Sequence, residues 1–248
     1  MPTPFSHLQI TQRLLDDEAV PQSIRAFARD YRPDFLLGGI IADQRPEGGK
    51  RADTHFYEYT KPMPDNPWRE MFRQHPSLKT PKSDAHKAFL MGYVAHLAAD
   101  EYWSRYMLKP HFAESDWGED IRHRFYLLHL LLITMDERDE KLLPAGIGAV
   151  MQACEPHSWL PFMSDSKIQD WRDFLAHQID DHDSRTLEIF GGRIKTPAQK
   201  VRALLDDDEY MQRELWDNVS RDTLAELEVA LYAFSREQLL VYLDEFFS

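Results

Sequence analysis

Residues 88–103 read Ala-Phe-Leu-Met-Gly-Tyr-Val-Ala-His-Leu-Ala-Ala-Asp-Glu-Tyr-Trp. The run is rich in Ala, Leu and Met, which favour a helix. Leu90, Met91, Val94, Leu97 and Ala98 crowd its successive turns, so it reads as a buried helix rather than a surface one. His96 and Asp100 stand four residues apart within it and therefore on one face, one above the other. A buried imidazole and a buried carboxylate need partners. Hydrogen bonds inside an ordinary core satisfy that need, and so does a shared cation.

Partners for the pair exist upstream. Asp43 closes the apolar run Phe35-Leu36-Leu37-Gly38-Gly39-Ile40-Ile41-Ala42, His55 sits in Thr54-His55-Phe56, and His7 stands in Phe5-Ser6-His7-Leu8. An early His, an Asp ending a Gly-containing apolar segment, a Thr-His-Phe and a Gly-Tyr-x-x-His-Leu-x-x-Asp helix, in that order, resemble the zinc-dependent phospholipase C family, which is related to the fungal single-strand nucleases. The last motif is Gly92 to Asp100, and the resemblance covers roughly residues 1–110. It implies a compact multi-helix bundle with zinc at Asp43, His55, His96 and Asp100, and with Asp100 bridging to a second ion that His7 also holds. On that reading Asp43 and Asp100 are the catalytic carboxylates. The chain departs from the family pattern in beginning Met1-Pro2 where the family has an N-terminal Trp. It also has Tyr102, Trp103 and Tyr106 where a further His is expected, and it lacks a persuasive later His-x-x-x-Glu pair. His123, His129 and Asp136 are candidates for the missing ligands, or hydrogen-bonded members of a core helix. His177 and Asp181 have suitable spacing but read as surface residues.

The donor chemistry can be argued without the family. Imidazoles and carboxylates form a hard-to-borderline set that suits zinc, manganese or iron(II) better than copper(I). Softness alone does not separate these metals, and it is the resemblance that implies one or two zinc ions as the cofactor. A metal pair lowers the pKa of water from 15.7 toward ~7 and neutralises charge building on a phosphoryl group, so hydrolysis then needs no nucleophilic side chain. No Gly-x-Ser-x-Gly, Gly-rich phosphate loop or dinucleotide fingerprint offers another chemistry.

Composition frames the site. The 248 residues are 43% hydrophobic and 12% aromatic, enough for one large core, and a single helical metal-binding domain over 1–248 is expected. A net charge of -13 repels nucleic acid and anionic membrane over the general surface, which favours a small phosphoester or a phospholipid-like headgroup as substrate. The lone Cys154 excludes an internal disulfide and reads as a small core residue. The N-terminal segment has no basic region followed by an apolar one, and Asp16, Asp17 and Glu18 follow soon after, so the protein is expected in the cytoplasm.

The rest of the chain also reads as helix. Phe5, Leu8, Ile10, Leu14 and Leu15 recur at helical spacing, and helices are predicted near 22–30, 84–108, 119–136, 145–153, 167–189, 197–205 and 221–246. Pro and Gly cluster between 44 and 81, predicting a long irregular connection that carries His55. In it Arg45, Lys50, Arg51 and Lys61 form a basic excess, read either as solvated charges or as substrate phosphate contacts, with Arg45 and Arg51 the candidates. Tyr93, Tyr102, Trp103 and Tyr106 read as core aromatics. The apolar C-terminus is too short and charged to span a bilayer and is expected to pack on the core, with a homodimer contact as the alternative. Asp206 to Glu209 read as a solvated face. Two function classes follow: a zinc-dependent phosphoester hydrolase, and a noncatalytic helical protein with a structural zinc.

Overall fold

The computed structural model describes residues 2–58, 61–180 and 184–247. Among them there is no strand. In chain order the helices are α1 (Pro4–Leu14), α2 (Gln22–Asp30), α3 (Arg32–Ile41), α4 (Ala52–His55), α5 (Pro67–Gln74), α6 (Asp84–Trp103), α7 (Ile121–Glu140), α8 (Ile147–Gln152), α9 (Asp165–Asp180), α10 (Thr186–Arg193), α11 (Ala198–Leu205), α12 (Asp208–Met211) and α13 (Arg221–Phe247). The all-α class read from the sequence is the class observed.

The central element is α6. Ser83 caps it by accepting a bond from the His86 N–H, and sixteen of its twenty residues are buried. It crosses α3, whose Phe35, Leu36, Leu37, Ile40 and Ile41 are at most 1% exposed. Each such side chain contributes about 1.5–3 kcal/mol by leaving water. Glycines set the closeness of the crossing. A Cβ on Gly38 would lie 2.8 Å from the Phe89 carbonyl carbon, and one on Gly92 would lie 2.6 Å from the Gly39 nitrogen. The helices therefore touch backbone to backbone. On its other flank α6 receives α13, where the Ser235 hydroxyl donates to the Ala95 carbonyl at 2.8 Å. α6 also joins two apolar clusters, one around α3 and the C-terminal aromatics, the other around α7 with Trp103 and Ala99.

Several expectations need adjustment. The stretch 44–81 is not irregular throughout, because α4, α5 and a 3₁₀ turn at Pro76–Lys79 lie within it. Pro67 opens α5 at a position where its missing N–H costs nothing, so a residue read as a breaker acts as a start signal. His55 consequently sits on a short helix whose end is turned by Phe56 at a φ of 61°. The helix read over 84–108 changes to a π-helix at Ser104–Ala113. That wider winding shifts the faces, and Tyr106, expected in the core, is 52% exposed. The helix read over 167–189 ends at Asp180 among the described residues and a second begins at Thr186. The C-terminal aromatics do pack inward, with Phe72 stacked on Tyr242 at 5.3 Å. Cys154 is buried and Asp206 to Glu209 are exposed. No described helix is long and apolar enough to cross a membrane.

Candidate metal centre

Four elements deliver five side chains to one place. α1 brings His7, the end of α3 leads into Asp43, α4 brings His55, and α6 brings His96 and Asp100. Asp100 lies at the middle. Its Oδ1 is 3.3 Å from His7 Nε2, and its Oδ2 is 3.1 Å from His55 Nε2 and 3.6 Å from His96 Nε2. Asp43 Oδ1 is 3.7 Å from His55 Nε2. The rings of His7 and His96 stack at 3.6 Å with 14° between their planes. Donor atoms of His7, Asp43 and His96 lie within 4.8 Å of one another, and so do those of His55, His96 and Asp100. Ligands at ~2.0–2.2 Å from a tetrahedral ion are themselves roughly 3.3–3.6 Å apart, so the spacing fits such a centre.

The hydrogen bonds fix which nitrogens face inward. His96 Nδ1 donates to the Gly39 carbonyl at 2.8 Å, leaving its Nε2 lone pair toward Asp100. His55 Nδ1 lies 3.2 Å from the Arg51 carbonyl and 3.0 Å from the Thr54 hydroxyl, which again leaves Nε2 as the inward nitrogen. Such backbone anchoring of the far nitrogen is how metal-binding histidines are oriented. The inward atoms lack hydrogen bonds of their own among the described residues. His7 Nε2, His55 Nε2, His96 Nε2, Asp43 Oδ2 and Asp100 Oδ1 are all buried without one. An unpaired buried polar atom costs about 1–3 kcal/mol, so five at one point describe a cradle for a ligand rather than a finished polar core.

Electrostatics point the same way. Burial and the neighbouring His96 push His7 down to about 4, leaving its nitrogens free of a second proton at neutral pH. Burial alone would raise Asp100, but the imidazoles of His55, His7 and His96 outweigh it and hold the carboxyl well below its usual range. Asp43 is likewise held down against burial by His55, His96 and His7. His96 is disfavoured as a cation by burial, yet Asp100 and Asp43 raise it.

The cluster faces a cavity of about 920 Å³ whose walls include Asp43, Arg51 and His55. Arg51 donates to Asp100 Oδ2 at 2.9 Å and to the Tyr57 hydroxyl at 2.9 Å, so it belongs to the centre itself. Arg45 is exposed and also lines the cavity. The later candidates do not reach the centre. His129 Nδ1 lies 2.6 Å from the Phe125 carbonyl, His123 is 3.3 Å from Glu214, and Asp136 accepts from Thr186. His177 is exposed, and Asp181 lies outside the described residues. The supporting roles of Tyr57 and Gly39 were not read from the sequence, although Tyr57 directly follows the Thr-His-Phe motif. No family model, no curated protein and no solved structure matches the chain.

Asp136 is the other unusual carboxyl on this cavity. Only 3% exposed, it is raised to about 7, chiefly by burial. The folded protein keeps this proton up to about pH 7 whereas an unfolded chain releases it near 3.8, so wild-type stability falls as pH rises between those values. Asp136→Asn removes the penalty and is expected to gain up to about 4 kcal/mol over wild type at pH 8, a gain that vanishes below pH 4. Urea unfolding at both pH values checks this. A difference independent of pH would refute it.

Proposed function

We propose that the protein is a metal-dependent phosphoester hydrolase of the zinc phospholipase C kind. The observation that carries this reading is the convergence of unpaired imidazole nitrogens and carboxylate oxygens at the wall of a large cavity. His7, Asp43, His55, His96 and Asp100 would hold one or two zinc ions, and manganese and iron(II) suit the same donors. Zinc bound there supplies Lewis acidity toward water and a phosphoryl oxygen. The side chains do the rest. Asp100, 0% exposed and flanked by three imidazoles, keeps the centre together. Asp43, with a side chain 16% exposed, is the ionised carboxylate that can accept a proton from the attacking water. Arg51, steadied by Tyr57, offers N–H groups to a phosphate oxygen, and Arg45 adds positive charge at the wall.

A purely structural zinc is the competing reading. Structural sites are closed by protein ligands, whereas catalytic ones keep an open position. The contact of Asp43 and His55 with the cavity favours the open kind. The deciding experiment measures metal content of the purified protein together with hydrolysis of phosphodiester and phosphomonoester panels. Stoichiometric zinc with metal-dependent turnover supports the hydrolase. Stoichiometric zinc with no turnover on any panel member would favour the structural site.

His7 separates one ion from two. His7 and Asp100 would hold a second ion, so His7→Ala is expected to abolish phosphoesterase activity while one ion stays bound. Full activity in the variant, or one ion per active molecule, would place the chemistry on a single centre.

A further inference from the structure

The cavity that the metal centre faces also has an apolar wall, to which three helices contribute. On α7 the stripe is Phe125, Leu128, His129 and Leu132, which share one helix face. Phe174 and Leu175 of α9, with Ile189 and Phe190 of α10, line the same space. Phe174 and Ile189 stay 38% and 37% exposed, so large apolar side chains reach the open edge of this wall.

His129 is the polar group set into the α7 stripe. Its Nδ1 lies 2.6 Å from the Phe125 carbonyl, which can only accept, so Nδ1 carries the hydrogen and Nε2 keeps its lone pair. Nε2, on the other side of the ring, points away from its own helix. It makes no hydrogen bond among the described residues and is not one of the buried unpaired atoms, so it is open to the cavity that His129 lines. Burial, with Arg193 acting in the same direction, lowers His129 from its ordinary 6.5, which keeps the imidazole neutral at pH 7. An acceptor of fixed direction thus stands in an apolar wall, the usual make-up of a small-molecule site.

We infer that this wall is a subsite for a neutral hydroxyl carried on an apolar body, an alcohol or a phenol, whose O–H donates to His129 Nε2 while its carbon part lies against Phe125, Leu132 and Phe190. The surroundings decide the class. A cationic donor is opposed by Arg193, whose charge is felt at His129. An anion brings no hydrogen and meets the Nε2 lone pair as a second acceptor. An amide N–H brings a carbonyl with it, for which the Phe125 side chain and the Phe190 ring, edge-on to His129 at 5.9 Å, have no donor.

The test is calorimetric titration of the whole chain with p-propylphenol and with p-propylanisole, which has the same ring and no O–H to donate. The phenol is expected to bind saturably and about three- to tenfold more tightly than the ether, the worth of one hydrogen bond. In His129→Phe, which keeps a ring and removes the acceptor, that preference should disappear. In the wild type, the nitrogen resonance of His129 Nε2 should move further with the phenol than with the ether, and this decides the matter should the variant not fold. No saturable binding, equal binding of the ether, a preference that persists in His129→Phe, or an unmoved Nε2 resonance would each overturn the inference. The readout is binding alone, so it stands or falls separately from phosphoester hydrolysis.

Discussion

His96→Ala is expected to lower zinc affinity by a factor of about 100 or more and to abolish metal-dependent turnover. Losing a residue that merely orients a ligand costs 10–100-fold in affinity, and His96 is placed as a ligand. It also belongs to both groups of convergent donors, so no subset of the remaining side chains rebuilds either one. The substitution removes the bond to the Gly39 carbonyl at the same time, leaving that acceptor unsatisfied between α3 and α6. Metal analysis after dialysis and circular dichroism on the same sample separate loss of metal from loss of fold. Stoichiometric zinc in a folded His96→Ala protein would remove the centre from consideration.

Gly92→Ala should destabilise the protein by more than about 3 kcal/mol. Overpacking a well-filled core costs about 1–3 kcal/mol when side chains can shift. Here the added methyl meets backbone, the Phe35 carbonyl and the Gly39 nitrogen, so relief requires the helices to part. That is a large fraction of the 5–15 kcal/mol typical of a domain. Gly192→Ala, where a Cβ meets nothing within 4 Å, is the matched control and should change little. Similar urea midpoints for the two variants would show that the crossing tolerates separation.

The residues that carry the centre were legible because they lie in short local patterns. His96 and Asp100 share a helix face, and Asp43 and His55 sit in distinctive segments. His7 is different: local pattern shows only that it is flanked by apolar residues, and its position against His96 depends on how α1 packs on α3 and α6. Helix α3 was visible as an apolar run but not as a helix, because a segment buried on all sides shows no periodicity to read. Arg51 is legible as a candidate phosphate contact in a basic loop, but not as a partner of Asp100. Its bond to Asp100 spans 49 residues and has no local signature. The same is true of Asp136, whose partner Thr186 is 50 residues away and whose neighbour Thr3 comes from the other end of the chain.

The glycine-lined crossing also bears on the order of events in folding and metal uptake. Neither the α3–α6 contact nor the anchoring of His96 to Gly39 draws on an ion, so main-chain contact holds the spacing of His96 and Asp100 against α3 without one. Small zinc domains gain their fold from the metal, because a preformed site is absent without it. If the proposed centre holds an ion, its scaffold is formed without it. Metal exchange should then proceed through the cavity without global unfolding, and stripping the ion should leave the helical spectrum nearly intact.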